Sequence, residues 1–184
     1  MTRSIAVLLC LLTPAIAAAH LRQGSGAQAQ NPVSDAVREG WNGAKRNLSR
    51  AADAMPEAKF GFKPVDTVRT FGQIVAHVAG ANYIFCAAAR GEKAPYAEDH
   101  FEKTATTKAA ITKALGDSIS YCDAAYAALD DRKAGEMVAA PFGSGKSARA
   151  AALMGNTGHL QEHYGNLVTY LRINGIVPPS SAGQ

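Results

Sequence analysis

Gly158-His159-Leu160-Gln161-Glu162-His163-Tyr164-Gly165 is the stretch on which the reading of this chain turns. Ala152, Asn156, His159, His163, Leu167 and Tyr170 recur three and four residues apart through it. That spacing puts them along one seam of a helix, with the two histidines one turn apart. Burying two neutral imidazoles requires partners for four ring nitrogens. A metal ion takes one nitrogen from each ring and leaves the other to an acceptor behind it. A third histidine from another helix would complete a site with open coordination positions. His77, in Phe71-Gly72-Gln73-Ile74-Val75-Ala76-His77, is the candidate.

Working outward, the chain reads as four helical segments without a convincing strand series, an all-α four-helix bundle. Asn31-Pro32 opens the first, as N-cap and first helical residue. Val33, Val37, Trp41, Ala44 and Leu48 follow at helical spacing up to Met55-Pro56. Thr70 and Gln73 form a capping box for the second helix, whose inward stripe is Ile74, His77, Val78, Ala81, Ile84 and Phe85. Gly91 closes it. Residues 93–106 read as a polar loop with an acidic patch at Glu98-Asp99, and His100 as a solvated loop histidine. The third helix spans about 107–131, with Ile111, Leu115, Ile119, Cys122, Tyr126 and Leu129 as its stripe. Residues 132–146 read as a flexible linker, with Ser147 as N-cap of the fourth helix, which runs to about Asn174. Pro178-Pro179 stops it, and residues 180–184 form a loose tail.

The first 29 residues have a different grammar. Arg3 is followed by the apolar run Ile5–Leu12 and then by small residues, with cleavage expected after Ala19 or Ala29. This is the grammar of a secretory signal peptide, with an apolar run too short to favour a stable membrane span; the other reading is an uncleaved anchor. The mature domain is then 30–179, in a periplasmic or secreted setting. Of the 184 residues, Lys and Arg exceed Asp and Glu by 4; losing Arg3 and Arg22 with the leader, and no acid, brings the charge to +2. No basic cluster interleaves with aromatics, so nucleic-acid binding has no support. Two cysteines remain, Cys86 and Cys122. An oxidising compartment permits a disulfide between them, facing each other if their helices are antiparallel neighbours. The other reading is two buried thiols.

Gly145-Lys146-Ser147 resembles the end of a phosphate-binding loop, but Ala140 stands where the first glycine belongs and no apolar strand precedes it. No nucleophile elbow and no Cys-x-x-Cys motif is present.

The segment 71–77, together with Gly158-His159-Leu160-Gln161-Glu162-His163 and its continuation to Arg172, resembles the DinB family of bacterial metal-binding helical bundles. The resemblance runs from Trp41 to Pro179. It implies a bundle of up-up-down-down type, a divalent metal on His77, His159 and His163, and a possible homodimer. Zinc is the default ion, with nickel, iron or manganese as options. The family includes thiol-dependent transferases and isomerases. The function expected is therefore an exported metal-dependent hydrolase or thiol-dependent transferase; the alternative is a non-catalytic periplasmic binder of a metal or small ligand. Asn156 and Tyr170 lie on the ligand seam and are expected to line the pocket. Glu162, about 100° round the helix from His163, is poorly aimed as a ligand. It reads as a surface charge, an acceptor behind the ligands, or a partner for Arg149 or Arg172. No general base is evident.

Overall fold

The computed structural model describes residues 31–182; the leader reading and both cleavage sites fall outside the described residues. Helix α1 spans Pro32–Ala54, α2 Phe71–Arg90, α3 His100–Thr104, α4 Lys108–Ala127 and α5 Arg149–Ile173. Strands β1 (Met137–Ala139) and β2 (Lys146–Ala148) pair antiparallel before α5. The bundle consists of α1, α2, α4 and α5. Helices α1 and α2 each pack on both α4 and α5 and stand diagonally to one another.

The first three bundle helices each have an identifiable start. In α1, Val37, Trp41, Ala44 and Leu48 face inward. The first turn of α1 is capped from across the bundle: the N–H groups of Val33 and Ser34 donate to the Asp131 carboxylate, while the Asn31 side chain accepts from the Asp131 N–H. Helix α2 carries the full Thr70–Gln73 capping box and ends at Gly91, φ +73°, a left-handed position that glycine adopts without penalty. It is buried nearly all round, as a helix apolar on every face must be. Thr107 accepts from the Ala110 N–H to start α4.

Chain direction departs from expectation. Gly72 meets Ile111, Asn82 meets Ser118 and Cys86 meets Cys122, so α2 and α4 run parallel. Ser34 meets Asp131 and Trp41 meets Tyr126, so α1 opposes α4. Phe85 meets His159 and Phe71 meets Tyr170, so α5 opposes α2. The order is up-down-down-up rather than up-up-down-down. The connection 91–107 makes this possible, because roughly 17 residues reach well over the length of a 20-residue helix. The antiparallel condition attached to the Cys86–Cys122 pairing is corrected in the same way: the residues occupy equivalent heights on parallel helices.

Three smaller expectations also change. The connection before α5 contains a β-ribbon, where Val138 pairs with Ser147. Ser147 therefore lies in β2, and Ala148 takes the N-cap without a side-chain bond. The third long helix ends at Ala127, and Leu129 is buried beyond it. At the other end, Pro179–Ser181 forms a 3-10 turn whose Ser180 N–H donates to the Tyr164 hydroxyl, so the tail is anchored at its start.

The core lies along the bundle axis, with Leu48, Phe71, Val75, Val78, Leu153, Leu160, Leu167 and Leu171 almost inaccessible. Trp41 stacks on Tyr126 with centroids 4.5 Å apart. Its indole N–H donates to Asp123, and Tyr126 donates to the Leu153 carbonyl. Burial pushes the Tyr126 hydroxyl up to about 12, so it stays a donor.

Candidate metal centre

Helix α2 carries His77 on its α5-facing side, and α5 carries His159 and His163 one turn apart. Because the two helices are antiparallel neighbours, the three rings meet. His159 Nε2 lies 3.1 Å from His77 Nε2 and 3.0 Å from His163 Nε2. The three ligand atoms all lie within 4.8 Å of one another. His77 and His163 are buried and His159 is partly so.

Hydrogen bonding cannot satisfy this arrangement. His77 Nδ1 faces the Glu102 carboxylate at 3.1 Å, which places the ring proton there and leaves Nε2 bare. His159 Nε2 then holds either a proton for one neighbour or a lone pair for the other. In either tautomer, one of the two short contacts has no donor–acceptor match: lone pair faces lone pair, or the single N–H of His159 is already spent on His77. A cation at that point accepts all three lone pairs, so the donor set fits a divalent ion. His159 and His163 are also held neutral, as ligation requires. Burial, reinforced by His163 and then His77, pushes His159 down to about 3. Burial followed by His77 pushes His163 down to about 4.

Behind the ligands, the support is uneven. Glu102 accepts from His77 on one oxygen, and its other oxygen receives the Arg69 Nε–H at 2.9 Å. This chain from Arg69 through Glu102 orients the His77 ring. The Nδ1 atoms of His159 and His163 are buried with no protein hydrogen-bond partner. Phe85 packs against His159 at 5.7 Å and also meets Phe142, from the turn between β1 and β2, at 5.1 Å. Gly155 makes room for that ring, since a Cβ there would sit 3.1 Å from Phe85.

His163 opens on a cavity of about 730 Å³ walled by Arg69, Gln73, Glu162, Asn166 and Tyr170. The Tyr170 hydroxyl donates to the Arg69 carbonyl at 2.8 Å and so ties down the loop that forms the far wall. Asn156 is elsewhere. It is fully buried, with its amide against the Tyr126 hydroxyl at 3.4 Å and near both cysteine sulfurs. It faces the core at the level of the disulfide, which joins Cys86 of α2 to Cys122 of α4 with Cα atoms 5.3 Å apart. The pocket-lining expectation for Asn156 is therefore corrected. Glu162 is exposed at the cavity wall; Arg149 pairs instead with Glu136, and Arg172 donates to Ser181. His100 stacks on Tyr96 at 4.7 Å and stands apart from the three-histidine group.

Arg69 and Glu102 escaped the sequence reading, and Glu98 entered it only within a loop's acidic patch. Arg69 and Glu98 lie in connections and Glu102 in the five-residue α3, too short for hydrophobic periodicity; the i, i+4 pair Glu98/Glu102 was the available signal.

The profile of the DinB superfamily matches residues 41–167, a span that contains all three histidines. The chain belongs to the DinB superfamily. Among solved structures, a DinB-like protein from Bacillus cereus aligns with TM-score 0.67 at 14% identity, over 79% of this chain and 95% of its own. A DinB-like protein from Bacillus subtilis gives TM-score 0.60 at 18% identity, over 76% and 92%. A mycothiol-dependent maleylpyruvate isomerase gives TM-score 0.61 at 16% identity, over 73% of this chain and 60% of that one. The chain therefore spans less than two thirds of the isomerase. At these identities the likeness is one of fold. No curated protein sequence matches.

Proposed function

We propose that this DinB-superfamily protein is an exported metalloenzyme, a hydrolase or thiol-dependent transferase, in which His77, His159 and His163 hold one divalent ion. Zinc is the first choice for three neutral nitrogens, with nickel, iron or manganese as alternatives. The observation that carries the reading is the convergence of three Nε2 atoms that no set of ring protons can reconcile. Such an ion supplies Lewis acidity, which makes water or a thiol nucleophilic near neutral pH.

The chain's own residues divide the remaining work. Glu102 fixes the His77 tautomer. Phe85 covers one side of His159, while the polar cavity beside His163 receives a small substrate. That cavity favours turnover over a purely storage role, since an ion that is only held has no need of a substrate-sized approach. The fold likeness to a thiol-dependent isomerase supports a low-molecular-weight thiol as one reactant. Export rests on the leader grammar of residues 1–29 and on the Cys86–Cys122 bond, which suits an oxidising compartment. We propose a homodimer on the family resemblance alone.

The test is thermal melting of untagged protein with and without Zn(II). Binding to the folded state alone raises the melting temperature. Wild type should gain stability and His159→Ala should gain none; a metal-independent melt for wild type refutes the reading.

A further inference from the structure

We propose that Glu98 is a fourth, carboxylate donor of the centre, delivered by the segment 92–107 that returns along α2. The proposal depends on the three-histidine reading above. Glu98 Oε1 lies 3.7 Å from His77 Nε2, the nitrogen that faces the other two histidines. Glu102, one turn further on, takes the opposite nitrogen of the same ring, Nδ1. The two carboxylates thus bracket His77, and they differ in freedom. Glu102 is held by Arg69 and its side chain is 14% exposed, whereas that of Glu98 is 43% exposed. Of the two, Glu98 is the more exposed and so the freer to turn its oxygen toward an ion.

A second observation concerns the backbone beneath it. A Cβ at Gly80 would lie 1.8 Å from the Glu98 carbonyl oxygen and 3.2 Å from its Cα. Only glycine allows the returning segment to sit this close to α2, and the close approach falls at Glu98 itself, one turn from His77. Aromatic contacts pin the segment on both sides: Tyr83 meets Tyr96 at 5.0 Å and Phe101 at 5.9 Å. A connection that merely returned the chain from Gly91 to Thr107 would need none of this. Its effect is to fix the Glu98 backbone and leave the side chain to reach the site.

The chemistry is consistent. Three imidazoles leave both charges of a divalent ion uncompensated in a partly dry site, and a carboxylate offsets one of them. The centre becomes a three-nitrogen, one-oxygen set for a first-row divalent ion, with positions still open for substrate.

The experiment loads the mature protein with Co(II) or Zn(II). Affinity is read by competition with a chromophoric chelator and coordination by the visible Co(II) bands. Wild type is compared with Glu98→Gln, Glu102→Gln and Gly80→Ala, each checked for folding by circular dichroism. Glu98→Gln should bind at least about ten-fold more weakly and shift the Co(II) bands. Glu102→Gln should weaken binding with the bands in place. A folded Gly80→Ala protein should resemble Glu98→Gln. Unchanged affinity and bands in Glu98→Gln overturn the proposal, and so does weaker binding with unchanged bands, which would put Glu98 behind the ligands. If wild type binds neither ion, it is the three-histidine reading that fails.

Discussion

His159 and His163 place a pH signature on the metal-free protein. Their folded-state values lie at about 3 and about 4, below the ordinary 6.5. Between those values the unfolded chain binds more protons than the folded one, so stability falls as acid is added. Above about 6.5 the contribution is complete; it drains away as pH drops through 6.5 toward 4 and below. Urea midpoints of the metal-free protein should decline from pH 7.5 to pH 5, and His159→Ala should flatten part of that slope. A slope unchanged in the variant would show that these rings do not set it. At this scale the sequence is informative where chemistry is periodic. His159 and His163 share a seam by spacing alone, and His77 sits in a helical stripe. Asn156 misleads because its seam position looks equivalent to that of His159, yet the sulfur pair beside it draws it to the core. Glu98 reads as a loop acid because the close approach at Gly80, which brings its backbone to α2, is not a local property of the sequence.

Elements are legible by length. The capping box at Thr70 and the glycine at 91 bound α2 as the residues suggest. Three-residue strands carry no usable alternation, so Met137–Ala139 and Lys146–Ala148 look like a linker. Helix direction is not a local property either. It follows from how the 91–107 connection travels, and that depends on contacts made across the fold. The parallel pair α2 and α4 is held by Asn82 to Ser118 and by the Cys86–Cys122 bond. That bond closes a loop over a separation of 36 residues, which restricts the unfolded chain by about 2–4 kcal/mol. Replacing Cys86 and Cys122 together by alanine should lower unfolding free energy by roughly that amount in urea titration. An unchanged midpoint would mean the cross-link does not anchor the pair.

At the scale of the whole molecule, the bundle belongs to the DinB superfamily, and we propose that residues 1–29 are a leader for export. If that leader is removed, mass spectrometry of protein recovered from the periplasm should find a chain beginning at His20 or Gln30. Full-length protein retained in the cytoplasm would contradict export and leave the bundle intact. The function rests on one claim about geometry: three histidines, one from α2 and two from α5, surround a single ion. Anomalous diffraction from crystals of untagged protein, recorded on both sides of the zinc, nickel, iron and manganese absorption edges, tests it most directly. The account predicts one peak, at one of those edges, within bonding distance of the Nε2 atoms of His77, His159 and His163. Clear density for the three rings with no peak among them, in protein crystallised with those metals present, would contradict it.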